Sequence, residues 1–260
     1  MHHLRGRLDC DNRAVNGEEP IVRPHAVLRW RRGDDAPTAS LHRALLVADR
    51  GLVEDVRRRR RGRPVAGPSG VLVSLPGGVG VAAPPGIGAP AAAIAVEELA
   101  ALGARSIVAV GYAGGFADDL RSGDIVMLES ALRGEGVSAH YLPAAPSVAA
   151  DPALAAEIGA VLRAAGIPVR PAVAWTTDAL YRETPTAVRE ARAAGAAIVD
   201  LEAAATLAVA RALGIAAAVV LVVGDRFTSD TWHPPPELRT VRERVRAVVD
   251  ALLDAWKREA

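Results

Sequence analysis

Three carboxylates stand where apolar runs stop. In Val199-Asp200-Leu201-Glu202-Ala203-Ala204-Ala205 two of them interrupt the junction between a short apolar run and an alanine-rich helical stretch. A third, in Val223-Gly224-Asp225-Arg226, ends the last apolar run of the chain. Placing charge at such junctions is costly unless it meets a partner. Asp200 reads as a helix N-cap and Glu202 as a first-turn residue favoured by the helix dipole, or both face a ligand. Asp225 reads as a turn cap or as a proton donor. The six histidines show no metal-ligand spacing, and no Cys or Ser nucleophile motif is present. The chemistry available is therefore that of carboxylic acids.

The elements that must position these groups centre on Val81 to Asp124. An apolar strand stops at the turn Gly86-Ile-Gly88, Pro90 opens a helix with Ile94, Val96, Leu99 and Leu102 at helical spacing, and Gly103 closes it. Ser106 to Val110 is a second apolar strand running into a glycine-rich loop, Gly111-Tyr-Ala-Gly-Gly115. Two consecutive strands thus deliver their carboxyl ends to one side of a parallel sheet, where α/β folds bind ligands. Upstream, Leu41 to Asp49 reads as the first core strand, Gly51 to Arg61 as a helix with a solvated basic end, and Val71–Leu75 with Val79–Ala83 as a hairpin. Downstream come a strand from Ile125, a helix over Pro152 to Gly166, a strand over Val169 to Thr176, a helix over Thr186 to Ala194, a helix over Glu202 to Leu213, a strand over Ala216 to Val223 and a last helix over Pro236 to Arg258. This alternation predicts an α/β protein, a single-domain three-layer α/β/α sandwich around a central mixed, largely parallel sheet. Residues 1–23 lack periodicity and read as a disordered extension before a domain over 24–260.

Whole-chain composition narrows the class. Half of the 260 residues are hydrophobic but only 3% aromatic, so the core must be built from Ala, Val, Leu and Ile. A net charge of +1 gives no pull towards nucleic acid or a membrane surface. Neither a secretory leader nor a spanning segment is read, and the single Cys10 fits a reducing compartment, so a cytoplasmic protein is expected.

Four blocks in order, Gly86-Ile-Gly88-x-Pro90, Ile94-Ala-Val-Glu-Glu98 with Leu102-Gly-Ala-Arg105, Val110-Gly-x-x-Gly114-Gly and Gly123-Asp124-Ile-Val, resemble the nucleoside phosphorylase family, which includes uridine and hexameric purine nucleoside phosphorylases and related nucleosidases. Glu135-Gly-Val-Ser-Ala-His140-Tyr resembles a loop of the uridine enzymes. The resemblance implies N-glycosidic bond cleavage without a cofactor, on a small nucleoside, in a homodimer or a trimer of dimers. It makes Glu202 the ribose ligand, with Leu201 where the family has a sugar-packing Met, beside Asp200. It makes Asp225 the acid that protonates the leaving purine, assisted by Arg239, and His25 a residue lent to a neighbouring subunit.

Departures from the family pattern bear on the acceptor. The phosphate-binding Gly-Asp-Pro-x-Arg loop is here Ala48-Asp49-Arg50-Gly51-Leu52, and at the second strand the family's arginine and hydroxyl are Ala109 and Tyr112, before Ala113 and Gly114. Two lost arginines remove about 1.5–3 kcal/mol each from dianion binding. Arg50, Arg63 and the Gly86 turn remain as an anion site, and Asp49 or Glu54 as a base for water. The aromatic that stacks on the base is Leu180. Water is therefore favoured over phosphate, with phosphorolysis as the alternative and a non-catalytic nucleoside-binding protein as the reading from another class. A dinucleotide oxidoreductase is disfavoured, because Ala91 stands where its third glycine is needed.

Overall fold

Apolar runs become strands covered on both faces. The computed structural model describes residues 19–33, 39–228 and 231–259. The rest of the expected extension, residues 1–18 with Cys10, lies outside them, and residues 19–23 lead, exposed, into the first helix. The elements are α1 (Pro24–Arg32), β1 (Arg43–Val47), α2 (Arg50–Arg59), β2 (Arg63–Pro64), β3 (Val71–Leu75), β4 (Val79–Ala83), α3 (Ala89–Ala101), β5 (Ser106–Gly115) and β6 (Ile125–Gly134). They continue with β7 (Ser147–Ala149), α4 (Pro152–Ala164), β8 (Arg170–Thr177), α5 (Pro185–Ala193), β9 (Ile198–Asp200), α6 (Ala203–Ala212), β10 (Ala216–Phe227), β11 (Trp232–His233) and α7 (Leu238–Glu259).

Alternation along the strands divides the core. Ala44 and Leu46 of β1, and Val219, Leu221 and Val223 of β10, pack with α3 and α6 on one face. Leu45 and Val47, with Val220 and Val222, pack with α2, α4 and α7 on the other. The result is the three-layer sandwich, and each fully buried Val, Leu or Ile in it contributes about 1.5–3 kcal/mol. The sheet is mixed. Strands β4, β1, β5 and β10 lie side by side and parallel, so their carboxyl ends share an edge.

The pattern did not foresee how the sheet closes. β5 pairs with β10 and β9, β10 with β6, β6 with β8 and β8 with β9, so five strands form a ring from which β1, β4, β3 and β2 extend. Closure explains a correction at the second glycine block. β5 continues to Gly115 instead of ending at Val110, because Gly114 and Gly115 pair with Val199 and Ile198. A Cβ on Gly114 would come within 2.5 Å of the Phe227 ring, and one on Gly115 within 2.8 Å of Val223. These glycines serve close packing inside the ring, not an open loop.

Two further expectations change. β1 is shorter than Leu41 to Asp49, and Asp49 lies past it as the N-cap of α2, accepting the Leu52 N–H. The basic end of α2 is not merely solvated. Arg59 and Arg60 both pair with Asp250, and Arg60 also pairs with Asp254, which ties α2 to α7.

Candidate active site

The three carboxylates separate into different environments. Asp200 ends β9 fully buried; its Oδ1 accepts the Thr176 hydroxyl at 2.6 Å, and its Oδ2 accepts the N–H groups of Glu202 (3.0 Å) and Ala203 (2.6 Å). Burial pushes its pKa up to about 7 against the pull of those donors. Asp200 thus closes the start of α6 with its side chain from two residues before the N-cap position, the structural one of its two roles. Glu202 itself occupies the N-cap position instead of the first turn.

Glu202 is half-buried and reaches across to the turn before α3, where the Gly88 N–H donates to its Oε1 at 2.6 Å. Gly88 has φ +93°, a conformation that a side chain would strain, and it leaves its N–H pointing at the carboxylate. Burial raises the Glu202 pKa and the Gly88 hydrogen bond opposes the rise. Gly86 and Ile87 of the same turn are exposed, so the carboxylate sits behind an open loop. Leu201, half-buried, separates it from Asp200.

Asp225 follows Gly224 in the outer part of β10, half-buried, with Oδ2 accepting the Trp232 indole N–H at 2.6 Å. The Asp225 charge is felt by half-buried Glu183, whose carboxyl is pushed up to about 7 by burial first and by that charge second. Arg239 is paired elsewhere. It lies exposed on the first turn of α7 and pairs with Glu243 at 2.8 Å, four residues on and on the same helix face.

At the end of β1 the geometry differs from an anion site. Asp49 caps α2 with Oδ1, while its Oδ2 accepts the Tyr112 hydroxyl at 3.3 Å and faces Arg242 of α7 at 3.9 Å. Burial, and then the Asp49 charge, push the Tyr112 phenol up to about 12. Arg50 is exposed on the first turn of α2, and Glu54 pairs with Arg57 at 2.7 Å. Arg63 lies on β2, the outermost strand, three strands from β1, and is not brought to Asp49. Ala113 and Gly114 are buried in β5.

Leu180 stands half exposed, at 50%, in the short turn after β8, which the Asp178 carboxylate fixes by accepting the Gly136 N–H at 2.8 Å. His25 is exposed on the first turn of α1, whose Arg31 reaches buried Glu98 of α3 at 3.2 Å. Among the described residues no group of three or more His, Cys, Asp or Glu could hold a metal ion. Glu183, Trp232 and Arg242 escaped sequence reasoning. The only trace was an aromatic in Trp232-His-Pro-Pro seven residues beyond Asp225.

A family model described as the phosphorylase superfamily matches residues 42–255, and the chain belongs to that nucleoside phosphorylase family. Guanosine phosphorylase of Halorubrum lacusprofundi is 32% identical over 170 residues, 62% of this chain and 69% of that one. Uridine phosphorylase of Salmonella typhimurium is 25% identical over 179 residues, 64% and 70% of the two chains. A mimivirus protein of unassigned function, R802, is 30% identical over 135 residues, about half of each chain at 52%. In fold, the chain resembles AMP nucleosidase of Bacteroides thetaiotaomicron, with a TM-score of 0.72, 20% identity and 92% of this chain and 99% of that one covered. Purine nucleoside phosphorylase of Toxoplasma gondii follows with a TM-score of 0.70, 21% identity and coverage of 85% and 93%. Among the described residues no helix is long and apolar enough to cross a membrane.

Proposed function

We propose that this chain cleaves the N-glycosidic bond of a purine-type nucleoside, with Glu202 binding the ribose, Asp225 protonating the base and water as the acceptor. The bond between C1′ and the base nitrogen breaks, the base takes the Asp225 proton at N7, and the water oxygen bonds C1′. The water's proton passes to a carboxylate of the loop and helix after β1, for which Asp49 and Glu54 are the candidates. Purines leave poorly as anions, and a positioned acid is worth about 10²–10⁴-fold. A ribose hydroxyl donating to Glu202 gives a charge-assisted hydrogen bond that fixes the sugar.

The observation that carries the choice of water is the loss of cationic side chains from the family's phosphate positions. Leu52, buried on α2, and Ala109 of β5 stand where that pattern has arginines, so the loop at Asp49 lacks two of the charge-assisted donors that hold a dianion. Phosphorolysis is the second reading, favoured by Arg242, which stands at the same place and could turn to a phosphate. Incubation with a panel of nucleosides, with and without phosphate, decides between them. Free sugar released at a rate independent of phosphate supports hydrolysis. Sugar 1-phosphate with saturation in phosphate reverses the assignment, and binding without any product supports the non-catalytic alternative.

A further inference from the structure

Trp232 stands more open than its size favours. It belongs to the two-residue strand β11, which pairs with Arg226 and Phe227 at the end of β10, and its side chain is 57% exposed. A tryptophan left that open forgoes much of what its large apolar surface can contribute by burial. Water could satisfy an exposed indole N–H, yet this one donates to Asp225 Oδ2 at 2.6 Å.

We propose that Trp232 is the positioning residue of Asp225, fixing which carboxylate oxygen carries the proton and presenting its ring beside the departing base. This role rests on the proposed cleavage reaction and on what an indole can do. Its N–H is a donor only. Oδ2 therefore accepts, which favours the proton on Oδ1, the oxygen with no hydrogen-bond partner among the described residues. A free aspartic acid distributes its proton over both oxygens and turns about its side-chain torsions; one held at a single oxygen offers the proton in one direction. In the resemblance this assistance belongs to Arg239, which instead pairs with Glu243. The stacking surface belongs to Leu180, which is not aromatic. Trp232 supplies a donor to the acid and an aromatic face at the same rim.

The test uses the full chain and three variants, Trp232→Phe, Trp232→Ala and Asp225→Asn. Substrates are a purine nucleoside and a 4-nitrophenyl riboside, whose leaving group departs without protonation. Trp232→Phe keeps a ring and loses the N–H, so kcat on the purine nucleoside should fall roughly tenfold, less than the 10²–10⁴-fold of the acid itself. Its kcat on the nitrophenyl riboside should stay within about twofold, with KM for both unchanged. Trp232→Ala should also raise KM for the nucleoside. Free adenine or guanine should quench the indole emission of the native chain, and Trp232→Phe should abolish that quench while Trp30, Trp175 and Trp256 remain. Equal losses on both substrates, or an unaltered quench, overturn the proposal. If Asp225→Asn loses activity selectively while Trp232→Phe does not, the positioning role fails and the cleavage reading stands. If Asp225→Asn is as active as the native chain on both substrates, Asp225 is not the acid and the positioning role fails with it; if the native chain releases no base, the cleavage reading itself fails.

Discussion

Asp225 and Glu202 should fail differently, because one delivers a proton and the other holds a sugar. Asp225→Asn keeps the shape and still accepts the Trp232 N–H, so it should lower kcat strongly and leave binding nearly intact. Glu202→Gln can still accept from Gly88 but loses its charge, so binding should weaken together with turnover. Steady-state kinetics of both variants on a poor and a good leaving group measure the difference, and equal losses for Asp225→Asn on the two would mean that it positions without protonating. Glu183 titrates at about 7 in the folded chain against an ordinary 4.5, so the fold binds its proton more tightly than the unfolded chain does. Its contribution to stability is full below about 4.5 and is lost as pH rises through about 7. Urea unfolding at about pH 5 and about pH 8 should therefore show a larger drop for the native chain than for Glu183→Gln; the same drop in both would rule this out. Asp200 shows how a sequence reading and a structure meet at one residue. The capping role was legible from its place before an alanine-rich helix, whereas its burial beneath the Thr176 hydroxyl was not, since residue 176 is on another strand.

At the scale of elements, glycines divide into those needed for approach and those that are not. Gly114→Ala drives a Cβ to within 2.5 Å of the Phe227 ring and 3.2 Å of Val199, so it should cost about 1–3 kcal/mol by thermal or urea unfolding. Gly111→Ala meets Ala48 and Leu221 at 3.4 Å, close to ordinary contact, and should be far milder. Equal costs would mean that the ring of strands relaxes around residue 114. Strand and helix identity along the chain was legible because both faces of the sheet are covered, leaving unbroken apolar runs between helical periods. The added length of β5 was not, because two glycines carry no side-chain pattern to read.

Assembly belongs to the whole molecule. We propose a homodimer or a trimer of dimers, with His25 on α1 reaching a neighbouring site, since it stands exposed near the start of the described chain. Light scattering at micromolar concentration should give twice or six times the chain mass, and His25→Ala should raise KM with little change in kcat. A monomer that is fully active excludes both. The sequence by itself determined the order of the main core strands and helices, the apolar character of the core, the carboxylates where apolar runs stop and, through four motif blocks, the family. All of these depend on residue types and short spacings, which a chain carries without folding. Only the tertiary structure decided which group each carboxylate meets: Gly88 for Glu202, Trp232 for Asp225, Tyr112 and Arg242 for Asp49. Three of these four contacts join residues more than sixty positions apart, and the fourth, between Asp225 and Trp232, depends on where β11 folds back on β10. Periodicity fixes which face a side chain takes, but only the pairing of strands and the docking of helices fixes its neighbour.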